Sequence, residues 1–85
     1  MSENNGSHDL LDEGPIPLAE LMKYVARNFK VKRVWQSYYN YTRTGTLNRS
    51  TGQRVFLEFI DLCGIRHSTV QAYRRFVAKQ NEGRE

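Results

Sequence analysis

A single cysteine, Cys63, occurs in the 85-residue chain, so no intrachain disulfide can form. Cys63 has neither a second cysteine nor a histidine at zinc-ligand spacing, which removes a structural zinc site. No apolar run approaches the roughly 20 residues needed to cross a bilayer, and the N-terminus lacks the basic start and apolar stretch of a signal peptide. The expectation is a protein of a reducing, cytoplasmic setting, nucleoid-associated if bacterial, without a membrane partner. Proline is confined to Pro15 and Pro17, which mark a stiff boundary near the start. Acid is the most telling absence, because none lies between Glu20 and Glu58.

That gap holds Lys23, Arg27, Lys30, Lys32, Arg33, Arg43, Arg49 and Arg54. Residues 1–14 are the opposite: Glu3, Asp9, Asp12 and Glu13 give −4 with no Lys or Arg, and the other residues carry +8, leaving a net +4. One-signed charge at this density repels itself and opposes folding, so a polyanionic partner is the natural reason to retain it. The segment 1–14, polar and with only Leu10 and Leu11 as apolar content, cannot offset the entropy of ordering and reads as a disordered acidic tail. The length allows one small domain, residues 15–80, with 81–85 as a frayed end. A core this small needs close helical packing or a dimer interface.

Within the domain, Leu18, Leu21, Met22, Val25 and Phe29 follow the three-and-four spacing of a helix that Pro17 can open. Val31, Val34, Trp35, Tyr38 and Tyr41 or Thr42 make a second stripe ending at Gly45. Their β-branched and aromatic character also allows a hairpin over 31–47 with Thr44 and Gly45 at its tip. Ser50 and Gln53 have the spacing of a capping box. A third helix is expected from there, with Val55, Phe56, Phe59, Ile60, Leu62 and Cys63 on its apolar face. Leu57 would point away, toward the first helix or a second subunit. Gly64 ends that helix, and a fourth runs from His67 or Ser68 to about Lys79. The fold class expected is therefore all-α, a small bundle of about four helices.

Two helices around a glycine-containing turn, the second rich in arginine, are the parts of a helix-turn-helix. The stretch Phe56 to Phe76 resembles that DNA-binding motif family: Phe59, Cys63, Ile65, Val70 and Tyr73 occupy its apolar packing places and Gly64 its turn. Ile60 departs from the small residue usual where the helices cross. The resemblance implies a helix-turn-helix at about 52–79, as in small phage and plasmid regulators. It further implies a sequence-specific regulator or repressor that binds double-stranded DNA as a dimer and reads the major groove with the helix at about 67–79.

On a helical wheel of about 100° per residue, Ser68, Gln71, Ala72, Arg75 and Lys79 lie opposite Val70, Tyr73 and Val77. Arg can bond guanine, Gln adenine, and Ala can touch a thymine methyl. Expected base contacts are thus Arg66, His67, Ser68, Gln71, Ala72 and Arg75. Ser68 and Gln71 also have capping-box spacing, so they could instead close their own helix. Expected phosphate contacts are Lys30, Lys32, Arg33, Arg49, Thr51, Gln53, Arg54, Arg74 and Lys79. Two other readings stay open: an RNA or single-strand binder using the basic-aromatic segment 30–43, and a small interaction module for an acidic partner. No phosphate loop, carboxylate pair or nucleophile with a His and acid partner can be assembled. Neither enzymatic activity nor a cofactor, metal or small-molecule substrate is expected.

Overall fold

The stripe of Leu18, Leu21 and Val25 does form a helix, α1 (Leu18–Phe29), with those three side chains buried and Pro17 capping its start. It stops at Lys30, which takes a left-handed conformation (φ 60°) and turns the chain away. A short turn then leads into α2 (Trp35–Arg43), so helix wins over hairpin for most of 31–47. The computed structural model describes residues 10–48 and 50–82. Residues 1–9 of the expected tail, Arg49, and residues 83–85 of the expected frayed end lie outside them.

The all-α expectation is overturned after α2. Where a third helix was expected the chain is extended, and the molecule is a mixed α/β domain with three α-helices and two antiparallel sheets among the described residues. Strands β2 (Thr46–Leu47) and β3 (Arg54–Val55) form a small ribbon, with Thr46 opposite Val55. A three-stranded sheet is built from β1 (Ile16–Pro17), β4 (Ile60–Leu62) and β5 (Ile65–Ser68) in the order β1-β5-β4. The chain ends in α3 (Val70–Gln80).

The physical reason lies in the side chains of 54–62. Val55 and Leu57 are buried while Phe56 between them is 49% exposed, an alternation with period two. A dense apolar run satisfies helical and strand spacing together, and β-branched and aromatic residues then favour the strand. Gly64 is accordingly the tip of a hairpin, not the end of a helix. Leu62 pairs with Ile65, and the two residues between them both have positive φ, 53° at Cys63 and 77° at Gly64. That is the two-residue turn whose twist matches flanking strands, and glycine enters it without steric penalty. Cys63 is exposed at this tip rather than packed in the core, and Ile65 is exposed beside it. The helix pair expected at 52–79 does not form.

The loop 48–53 replaces the expected capping box at Ser50. Asn48, only 1% exposed, accepts the backbone N–H groups of Ser50 and Thr51 on its Oδ1 (2.7 and 3.0 Å). Its amide donates to the carbonyls of Lys79 and Glu82 (2.7 and 2.8 Å), so one side chain ties this loop to the end of α3. The core gathers Leu18, Leu21, Val25, Tyr38, Val55, Leu57, Ala72, Tyr73 and Phe76. Leu57 belongs to it and offers nothing to a second subunit. Leu10, from the segment expected to be mobile, is also buried there, in a 3-10 turn over Leu10–Glu13. Among the described residues no helix is long and apolar enough to cross a membrane.

Candidate nucleic-acid interface

The six residues expected to touch bases do not share an outward face. Ser68 is fully buried and donates to the Glu58 carbonyl (2.5 Å), and Ala72 is fully buried in the core. The cap of α3 is Thr69, whose Oγ1 accepts the Ala72 N–H at 2.8 Å, so neither Ser68 nor Gln71 forms the expected box. Arg75 turns inward. Its Nε and Nη2 donate to Glu58 (3.0 and 2.7 Å), and Nη1 and Nη2 donate to Glu13 (3.0 and 3.2 Å). The hydrogen bonds it donates to Glu58 outweigh the opposing effect of burial and hold this guanidinium more firmly protonated than usual. Arg66 lies over the rings of Phe59 (4.1 Å) and Tyr39 (5.0 Å), donates to Thr42 Oγ1 at 3.0 Å and faces Asp61 at 3.4 Å. His67 is half-buried, with Nδ1 2.8 Å from the Ile65 carbonyl. Only Gln71 of the six is exposed.

The expected phosphate contacts fare differently. Lys30, Lys32, Arg33, Thr51, Gln53, Arg54, Arg74 and Lys79 are all exposed, while Arg49 lies outside the described residues. Arg74 sits with its guanidinium 5.2 Å from the centre of the Phe29 ring. Arg54 donates to the Thr44 carbonyl (2.6 Å), just past the last turn of α2. Lys30, Lys32 and Arg33 belong to the turn that leads into α2. Cations thus stand at both ends of this one helix.

Along α2 itself, Tyr38 and Thr42 are buried and Tyr41 is half-buried against Phe76, with ring centres 4.8 Å apart. The opposite side presents Gln36, Asn40 and Arg43, all exposed, at i, i+4 and i+7 on one row. Trp35 and Tyr39 border the row, stacked at 5.3 Å, and the Arg43 guanidinium lies 5.7 Å from the Tyr39 ring centre. Neither α2 nor the turns flanking it contain an acid. Gln and Asn can each pair with adenine and Arg with guanine, so this row carries the side chains that read base edges. The row escapes sequence reasoning, because the spacing of Gln36, Asn40 and Arg43 acquires meaning only once helix is chosen over hairpin for this segment.

Among the described residues, no three His, Cys, Asp or Glu side chains gather as a metal site would need. No protein-family model, curated protein or solved structure matches the chain.

Proposed function

We propose that this protein binds double-stranded DNA as a sequence-specific regulator in the cytoplasm, and that α2 is the helix that enters the major groove. The observation that carries the reading is the exposed, acid-free row of Gln36, Asn40 and Arg43, with Lys30, Lys32 and Arg33 before it and Arg54 after it. A helix of nine residues is roughly 14 Å long, comparable with the groove width of about 12 Å. Cations at its two ends can therefore reach phosphates on both walls. α1 and α2, consecutive and joined by a short basic turn, supply the helix pair that such docking uses. A domain this small discriminates weakly by itself, so two copies on a repeated or palindromic site are part of the proposal.

The test is selection of random duplexes by the purified protein, followed by alanine substitution of Gln36, Asn40 and Arg43. Each substitution should cost roughly 1–3 kcal/mol of discrimination at its own base position while weak nonspecific binding persists. Absence of any retarded duplex at micromolar protein and moderate salt would defeat the reading. Trp35, 46% exposed and stacked on Tyr39, favours one rival, base stacking on a single strand. Tighter binding to single strands than to duplex, lost in Trp35→Ala, would replace duplex reading with that rival.

A further inference from the structure

A second surface lies where the end of α1 meets α3. Phe29 and Val31 on one side and Tyr73, Arg74, Val77 and Ala78 on the other enclose an open groove of about 400 Å³. That volume falls in the range of about 300–1,000 Å³ typical of sites that seat a ligand. Its walls are almost wholly apolar. The Phe29 and Tyr73 rings stack at 6.0 Å to form the floor, Val31 is exposed, and Ala78 leaves room where a longer side chain would close the space. An apolar surface of this kind in water gains free energy when another apolar surface covers it.

The rim says what kind of surface. Lys30 separates Phe29 from Val31, Lys32 follows Val31, and Arg74 lines the groove itself; all three are exposed. Arg33 is close enough to oppose the rise in the Tyr73 pKa that burial produces. Among the described residues no acidic side chain lines the groove. We infer that it docks an acidic amphipathic segment of a partner protein, with apolar side chains seated between α1 and α3 and carboxylates paired to Lys30, Lys32 and Arg74. A second copy of this chain fits less well, because a symmetric contact would set two basic rims against each other. Nucleic acid fits less well too, because an apolar floor offers base edges no hydrogen bonds. The groove shares Lys30 and Lys32 with the phosphate contacts proposed for DNA, but its apolar floor of Phe29, Val31, Tyr73 and Val77 takes no part in that reading, so peptide binding and duplex binding can fail separately.

The experiment titrates the full chain with three short synthetic helical peptides, followed by backbone chemical shifts. One carries Leu and Phe on one face and Glu on the other; the second replaces Glu by Lys; the third keeps Glu and replaces Leu and Phe by Ala. The first should bind at micromolar concentration with shifts centred on Phe29, Val31, Val77 and Ala78, and the other two about tenfold more weakly or worse. Ala78→Glu, at an exposed position that leaves the core intact, should weaken the first peptide by about tenfold. The variant Gln36→Ala/Asn40→Ala/Arg43→Ala should bind it as the parent does. Equal binding of both Glu peptides, shifts centred on α2, or unchanged binding by Ala78→Glu would each overturn the proposal. Self-association that Ala78→Glu abolishes would overturn it in favour of a second copy.

Discussion

Arg75 illustrates how one side chain can serve structure in a position that suggests recognition. Its side chain is 24% exposed and is shared between Glu13, at 16%, and Glu58, at 41%. Removing the guanidinium leaves two carboxylates facing each other, so Arg75→Ala should destabilise the fold by roughly 1–3 kcal/mol. That is less than a fully buried pair would lose, because water screens the Glu58 side. Urea denaturation measures the loss, and DNA sequence preference should survive wherever the variant remains folded. Tyr38 makes a second test. Burial, assisted by Tyr73 and Tyr41 and opposed by Arg33, pushes its hydroxyl from 10.0 up to about 12, and Tyr73 is raised as well. Between these values the unfolded chain gives up a proton that the folded chain keeps, so stability is full below pH 10 and falls as pH rises toward 12. Tyr38 alone accounts for roughly 2–3 kcal/mol of this loss. Among the described residues its hydroxyl has no hydrogen-bond partner, so Tyr38→Phe should cost little at neutral pH and flatten the alkaline decline expected in denaturation.

At the level of elements, the contrast between α1 and the segment 54–68 explains what was legible. α1 could be read because Leu18, Leu21 and Val25 leave polar residues between them, a pattern with one period only. Val55 to Leu62 has too few polar residues to choose a period, and the choice fell to what the extended chain can pair with. β5 lies between β1 and β4, and β1 comes from the Pro15–Pro17 boundary some fifty residues earlier, a partner that no local pattern announces. Two glycines, Gly45 at the exit of α2 and Gly64 at the β4–β5 turn, respond differently to substitution. A Cβ on Gly45 would run into the Val55 carbonyl oxygen, while one on Gly64 meets nothing within 4 Å; both have positive φ. Gly64→Ala should therefore cost about 1 kcal/mol from backbone conformation alone, and Gly45→Ala more than about 2. Thermal melts of the two variants, compared side by side, check the order.

For the whole molecule, the distribution of charge sets the behaviour expected with a polyanion. Lys30, Lys32, Arg33 and Arg54 flank the α2 row, so DNA affinity should fall with a log–log salt slope of about −3 to −4. Arg74 and Lys79, on α3, are outside that face, and Arg74→Ala should leave the slope unchanged in a salt titration. Of the candidate site, the cations of 30–54 were legible because charge needs only composition to be noticed. The reading residues were not, because which face of a helix is outward depends on what covers the other face. Tyr38 settles that for α2 by entering the core beside Tyr73, with Tyr41 against Phe76 and Thr42 buried on the same side.

Local pattern and composition suffice for two helices, α1 and most of α3, for the lack of any disulfide, and for an acid-free basic stretch from Lys23 to Arg54. Each of these depends on residues near one another along the chain, or on simple counts. Packing across the fold is what makes three strands and a turn of 54–68 in place of a helix pair, brings Leu10 into the core, commits Arg75 to Glu13 and Glu58, and turns Gln36, Asn40 and Arg43 outward. Those outcomes rest on neighbours far apart in sequence, where burial of one face leaves the other free to meet a partner.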